Sequence, residues 1–304
     1  MKISGFTFIR NGFKLQYPFL ESIQSVLPVC DEMIVAVGNS DDGTREAITK
    51  LHPAKIHIID TVWDDSLREG GKILAQQTNI ALDAISGDWG FYIQGDEAVH
   101  ENDLQKVEDA AKKNLRNLSV DGLLFSWYHF FGNYDYIAEP RARGIYPFEV
   151  RMIRNDKLIR SFRDAQGFRK FSSPEALMLN KIPQRLRAKK TDAHIYHYGK
   201  VRGPEKELER AKSFHKLWHD DDWLKKFSGD RTQFDYGTKF PLIKFPGTHP
   251  AVMRERIEKM NWNFVPNPAD IKIPMKYKLL NSLDALTGLR PFEFRNYEVV
   301  KNGK

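Results

Sequence analysis

Asp88-Trp89-Gly90-Phe91-Tyr92-Ile93-Gln94-Gly95-Asp96-Glu97 is a short apolar run that ends on two adjacent carboxylates. Its aromatic and β-branched content reads as a strand over Trp89 to Ile93, which puts Asp96 and Glu97 at that strand's C-terminal end. Open α/β sheets bind ligands at this edge, and hard oxygen donors there suit Mg2+ or Mn2+ carrying a substrate's phosphates. The competing reading is local, because Glu101-Asn102-Asp103 just beyond is rich in residues that cap a helix.

The chain on either side fits the first reading. Lys2 to Ile9 alternates like a strand and breaks at Arg10-Asn11-Gly12, and a helix is expected around Tyr17 to Val26. Glu32 to Val37 is nearly continuous in apolar residues, the pattern of a strand buried on both faces. It leaves through the polar turn Gly38-Asn39-Ser40-Asp41-Asp42-Gly43-Thr44 into a helix over Arg45 to Leu51. A strand over Ile56 to Asp60, a helix over Ser66 to Ile85, the Trp89 strand and a helix over Asp103 to Leu118 continue the alternation. Strands alternating with helices imply an α/β fold with a mostly parallel central sheet and helices on both faces. After Gly122 the texture changes. Leu123 to Phe131, Glu149 to Ile153 and Leu158 to Phe162 read as antiparallel additions at the sheet edge, and His194 to Tyr198 as a last short strand. Helices are expected over Pro204 to Trp218 and Pro250 to Met260.

Composition narrows the function classes. The 304 residues suffice for a large core, and no apolar run approaches the ~20 residues of a spanning helix. With neither a span nor a secretory leader profile, the expected location is cytoplasmic, with the inner face of the cell membrane as a potential peripheral site. Cys30 is the only cysteine, so the chain forms no internal disulfide or thiolate cluster, and its expected role is packing. The net charge is +7, yet the span Arg141 to Lys190 holds 14 Lys and Arg against four acids. Such a span favours an anionic partner, although a solvated surface explains any single arginine equally well. Nucleic acid is not the expected partner because no recognised module is present. The first strand has no Gly-x-Gly-x-x-Gly turn, which argues against a dinucleotide enzyme.

The Ile9-Arg10-Asn11 strand end, the Ser40-Asp41-Asp42-Gly43-Thr44 turn, the helix carrying Gly71-Lys72 and Asn79, and the Trp89-to-Glu97 block stand in the order and spacing of a known family. Over roughly residues 1 to 200 the chain resembles the family 2 glycosyltransferases of GT-A fold, in a bacterial subgroup. The resemblance implies a catalytic domain over 1–202 and a mainly helical extension over 203–304 packed on it. It further implies an inverting transferase that moves a sugar from a nucleotide-diphosphate donor, UDP- or GDP-linked, to a glycan or lipid-linked acceptor in cell-surface polysaccharide synthesis.

The family's donor-binding positions map onto Arg10, Asn11, Asp42 and Lys72. One departure concerns the metal motif, which is usually Asp-x-Asp and here reads Gln94-Gly95-Asp96. Gln94 can bond a ribose hydroxyl but is a poor ligand for a hard cation, so Mg2+ or Mn2+ rests on Asp96 with His197 as the second ligand by resemblance. Residues three apart on a strand face opposite ways, so His194 and His197 cannot both line one site. Asp164 falls where the family carries its catalytic acid or base and is the expected general base, followed by Glu97 and then Glu175. Lys200 and Arg202 are expected to neutralise the diphosphate. Tyr128 to Phe131 suit an acceptor pocket or the sheet core, Gly247 to Pro250 the site or a helix start, and Trp218, Trp223 and Phe227 a membrane contact or packing. The alternative to catalysis is a non-catalytic nucleotide-sugar-binding protein that lost the first aspartate of its metal motif.

Overall fold

The computed structural model describes residues 1–140, 142–293 and 295–300. From the N-terminus, β1 (Ile3–Ile9), α1 (Phe19–Val26), β2 (Glu32–Gly38), α2 (Thr44–Leu51), β3 (Ile56–Thr61), α3 (Lys72–Asp83) and β4 (Trp89–Tyr92) alternate as their patterns predict. β1 pairs parallel with both β2 and β4, and β2 with β3, which gives the spatial order β3-β2-β1-β4. These strands are apolar on both sides because both sides are covered. Phe19, Ile23, Val26 and Ile48 pack on the face carrying Ile3, Met33, Val35 and Phe91. Ala81 and Leu82 of α3 pack on the opposite face with Phe6, Ile34 and Ala36. Helix α3 is shorter than expected because Gly70 and Gly71 both adopt positive φ, so the helix begins only at Lys72.

Beyond β4 the sheet becomes mixed, which corrects the mostly parallel expectation. The elements are β5 (Glu97–Val99), a 3-10 turn over Glu101–Asp103, α4 (Leu104–Asn114), β6 (Gly122–Phe131), β7 (Tyr136–Ala138), β8 (Phe148–Arg154), β9 (Ile159–Phe162), β10 (Gly167–Lys170), α5 (Pro174–Met178) and β11 (Gln184–Lys200). β8 runs antiparallel between β4 and β6, β11 lies parallel to β6, and β10 is antiparallel to β11 and β9. The short link between β9 and β10 leaves room for a hairpin but not for a parallel crossover. β11 is far longer than the expected His194-to-Tyr198 strand. Its first half hides behind charge, with Leu186 and Ala188 buried while Arg185 and Arg187 face outward.

The region after residue 202, expected as a mainly helical extension, carries two short strands beside its helices. It contains α6 (Pro204–His215), α7 (Asp221–Ser228), β12 (Leu242–Lys244), a 3-10 turn over Ala251–Met253, α8 (Arg254–Glu258), α9 (Met275–Thr287) and β13 (Tyr297–Val299). β12 pairs with β7, and β13 enters the main sheet parallel to β11. Met253 fills a third core with Phe130, Tyr134, Ile137 and Tyr198, so this segment shares its core with the strands it covers. Among the described residues no helix is long and apolar enough to cross a membrane. Cys30 is buried, in keeping with a packing role.

Candidate functional site

The C-terminal ends of β1, β2 and β4 meet at one edge of the parallel half of the sheet. Gly95 lets the chain leaving β4 fold over β1, since a Cβ there would sit 2.6 Å from Ile9 Cδ1. The Asp96 carbonyl accepts from the Tyr198 N–H at 2.7 Å, which fastens this loop to the end of β11. His197 Nε2 then lies 3.7 Å from Asp96 Oδ2. Glycine is required at 199, because a Cβ there would fall 2.5 Å from His197 Nε2 and 3.0 Å from Asp96 Oδ2. His194 faces another way and bonds Asp103 at 3.3 Å, as the strand geometry predicts.

A second histidine, expected in an acceptor pocket or the sheet core, orients the first. His129 Nδ1 is 3.1 Å from His197 Nδ1, and its Nε2 is 2.7 Å from the Tyr146 carbonyl. A carbonyl only accepts, so His129 Nε2 carries the proton; burial drives the His129 pKa down to about 3 and keeps the ring neutral. His129 Nδ1 is therefore an acceptor and His197 Nδ1 its donor, which aims His197 Nε2 at Asp96. A ring nitrogen held by a bond to the other nitrogen is the usual support for a metal-ligating histidine. Burial by itself would raise the Asp96 pKa, but His197, Arg202 and Arg210 more than offset it and leave it at about 2. Asp96 and His197 thus offer one anionic oxygen and one oriented nitrogen, a donor pair that fits Mg2+ or Mn2+ with substrate oxygens and water filling the other positions. Among the described residues no group of three or more His, Cys, Asp or Glu converges as a complete metal site.

Behind Asp96 lies a buried basic cluster. Glu207 accepts from Lys200 at 2.9 Å, Arg202 at 3.2 Å and Arg210 at 2.7 Å. One carboxylate facing three cations leaves an excess of positive charge next to Asp96. Arg202 also donates to the Leu15 and Gly199 carbonyls, yet its buried Nη2 has no partner among the described residues. Burial, then Arg210, lowers the Lys200 pKa to about 8 against the pull of Glu207. Lys200 and Arg202, expected as diphosphate ligands, therefore sit in a preformed cationic cluster, Arg202 buried and Lys200 partly exposed. Arg210 and Glu207, spaced three apart on α6, complete it and were not singled out in the sequence.

Asp164 occupies the turn between β9 and β10. Arg163 and Ala165 on either side both adopt φ near +58°, a conformation non-glycine residues rarely hold without support. The support comes from neighbouring loops. Gln94 Nε2 donates to the Ala165 carbonyl at 3.2 Å, and Arg151 Nη1 to the Gln166 carbonyl at 3.2 Å. Gly71 lies directly beneath, with room for no Cβ: one there would be 2.8 Å from Asp164 Cβ and 2.6 Å from Trp218 Cζ2. Gln94, expected at a ribose, is thus a clasp that ties the Asp164 turn to the Asp96 loop. Glu97, expected as second-choice base, is also corrected. Its carboxylate is fully buried, meets Arg151 at 2.8 and 2.9 Å, and accepts from the Gln94 N–H at 3.1 Å, so no substrate reaches it. Glu175 is exposed on α5.

The first two loops brace one another. The Asn11 N–H donates to Ser40 Oγ at 2.9 Å, and the Gly12 N–H to Thr44 Oγ1 at 2.9 Å. Asp42 accepts from the Lys14 N–H at 2.8 Å, the Thr44 N–H at 3.1 Å and the Thr44 hydroxyl at 2.5 Å. These bonds outweigh the effect of burial and lower the Asp42 pKa. The side chain expected to read a base is accordingly engaged as the clamp of both loops. Asn11 holds φ at +53°, and its buried Oδ1 lacks a partner among the described residues. Arg10 is paired with Asp65 at 2.5 and 3.0 Å, and Lys72 with Glu69 at 2.8 Å.

Much of the basic span is structural. Arg141 lies outside the described residues. Arg154 binds the carbonyls of Asn114, Leu115, Asn117 and Val120, while Arg160 pairs with Asp83 and Arg187 with Asp121. Phe130 is core, stacked 4.7 Å from Tyr198, and His249 is fixed between the Tyr198 hydroxyl at 2.9 Å and the Tyr134 carbonyl at 3.0 Å. Trp218 packs on Gly71, and Trp223 stacks on His219 at 3.8 Å.

No family model and no curated protein matches the chain. Among solved structures it is similar to TarS of S. aureus, with 15% identity over 70% of this chain and 39% of that one at a TM-score of 0.38. It is similar also to residues 1–349 of TarS in complex with UDP-GlcNAc, with 14% identity over 76% and 71% of the two chains at a TM-score of 0.38. A third likeness is to glucosyl-3-phosphoglycerate synthase of Mycobacterium tuberculosis in complex with Mn2+, UDP and phosphoglyceric acid, with 18% identity over 42% and 43% at 0.29. The chain thus spans about two fifths of the length of full TarS. These are partial likenesses at low identity, so the site itself has to carry any functional reading.

Proposed function

We infer that this protein is an inverting glycosyltransferase that moves a sugar from a nucleotide-diphosphate donor to a glycan or lipid-linked acceptor. The observation that carries the reading is the assembly of an ionised Asp96, an oriented His197 and a buried cationic cluster at the ligand-binding edge of the sheet, tied through Gln94 to a braced turn that bears Asp164. Asp96 and His197 would hold Mg2+ or Mn2+, which supplies charge neutralisation for a departing diphosphate. Lys200 Nζ, which keeps solvent access and is backed by the buried Arg202 and Arg210, attracts the same phosphates. Asn11 Oδ1 is an unpaired acceptor for a nucleoside donor group. Asp164 takes the proton of the acceptor hydroxyl as that oxygen attacks the anomeric carbon. The bond from sugar to diphosphate breaks as the new glycosidic bond forms, and the configuration inverts. The bracing by Gln94, Gly71 and Arg151 holds the carboxylate in place before substrate arrives.

The test is a melting-temperature screen with UDP-, GDP-, CMP- and dTDP-linked sugars, each with and without Mn2+. The reading expects one nucleotide class to raise the melting temperature, more so with Mn2+, and Asp96→Asn to remove the metal-dependent part. Asp164→Asn should retain donor binding and lose transfer by about 100-fold or more. Binding without any transfer in the wild type would favour the non-catalytic nucleotide-sugar-binding protein, whose support is the Gln94-Gly95-Asp96 departure. No shift with any donor would overturn both.

A further inference from the structure

We propose that α9 is a membrane-docking element that lays its apolar face on an anionic lipid surface. Met275, Leu279, Leu283 and Leu286 recur at helical spacing and form one stripe, which Leu289 and Phe292 extend past the helix end. All six are between 40% and 85% exposed. The opposite side of the helix is the anchored one. Arg143 donates to the carbonyls of Leu280 at 3.3 Å and Pro291 at 2.9 Å, and the buried Asp284 pairs with Arg290 at 3.0 Å. The helix is therefore held against the protein by one face while it presents a second, apolar face outward.

Charge identifies the occupant. Lys272, Lys276 and Lys278 surround the start of the stripe, and Lys239 stands beside them because the Thr238 carbonyl accepts from the Lys272 N–H at 2.8 Å. All four lysines are exposed, and none is in an ion pair among the described residues. From 271 to 289 the only acidic residue is Asp284, which is buried, and the exposed Asp270 borders the stretch. An anionic headgroup layer answers these lysines directly while the leucines enter the headgroup–acyl boundary. Docking here would also bring the membrane close to the site's support: Arg143, through the Leu280 carbonyl, fixes α9 to the segment whose Tyr146 carbonyl holds His129.

The experiment is co-sedimentation of the full chain with phosphatidylcholine–phosphatidylglycerol vesicles and with pure phosphatidylcholine vesicles, without nucleotide, so that it fails or succeeds independently of the transferase reading. The expected result is binding to the anionic vesicles only, weakened by salt. A lysine near such a surface is worth about fivefold in binding, so the triple variant K272Q/K276Q/K278Q should bind on the order of a hundredfold more weakly. L283S/L286S should bind anionic vesicles less at an unchanged melting temperature, because both side chains are exposed. Absence of wild-type binding to the anionic vesicles, or equal binding to the neutral ones, overturns the proposal. So does light scattering that shows a dimer abolished by L283S/L286S.

Discussion

Replacing Glu97 by Gln separates a structural carboxylate from a catalytic one. Glu97 and Arg151 are both wholly buried, joined by bonds of 2.8, 2.9 and 3.2 Å, and Arg151 faces the Tyr92 and Trp127 rings instead of water. An amide leaves the guanidinium uncompensated, a loss of about 3–5 kcal/mol for a buried pair broken on one side. Unfolding entropy of ~2.1 cal/mol/K per residue gives about 640 cal/mol/K for 304 residues, so the melting temperature should fall by about 5–8 °C. The double variant E97L/R151M removes both charges and should recover most of the loss, because a buried pair replaced by apolar groups is often neutral. Thermal and urea unfolding of the wild type, E97Q, R151M and the double variant measure the coupling. An E97Q protein that melts within a degree of wild type but loses transfer would refute the reasoning and return Glu97 to the chemistry.

Other perturbations follow from the same geometry. Gly71→Ala meets both positive φ and two close neighbours, so it should destabilise by about 1–3 kcal/mol and lower transfer further by displacing Asp164, as paired melting and turnover measurements would show. His129→Phe removes the acceptor for His197 Nδ1 and should weaken Mn2+ binding by about 10–100-fold, whereas His129→Gln keeps an acceptor and a donor and should stay close to wild type. Electron paramagnetic resonance titration with Mn2+ reads that difference without turnover; equal binding by both variants would remove His129 from the site. Burial would raise the Glu32 pKa, but bonds from Ser4, Ser86 and Lys2 bring it down to about 2 from an ordinary 4.5. Its stabilisation is complete above pH 4.5 and is lost as pH falls through about 2, so Glu32→Gln should lower stability at pH 7, by about 1 kcal/mol after solvent screening, and flatten the acid limb of a denaturation curve.

The N-terminal half of the fold was legible because its signals are local. Apolar runs such as Glu32 to Val37, the helical period of α3 and the punctuation at Gly38 to Thr44 depend on neighbours a few residues away, and β1 to β4 pair as expected. The C-terminal half depended on register. The charged alternation of Gln184 to Thr191 acquires meaning only when Leu186 and Ala188 face a core supplied by β13 and β6. The same holds for the site. The sequence marked Asp96, His197, Asp164, Lys200 and Arg202, but Glu97 and Gln94 stand next to Asp96 and nothing local distinguishes a buried brace from a ligand-facing group.

The sequence by itself determined the alternating half of the sheet, the absence of any disulfide framework and the residue types assembled at the sheet edge, since composition and short-range periodicity are properties of the chain. Only tertiary structure decided which of those residues share a bond. His129 meets His197 through the β6–β11 register, and Glu97 is neutralised by Arg151 from a strand more than fifty residues away. Arg210 reaches the Asp96 pocket because α6 folds back beneath it. Burial and distance fix the charge state and reach of each group, and both arise only when distant segments close on one another.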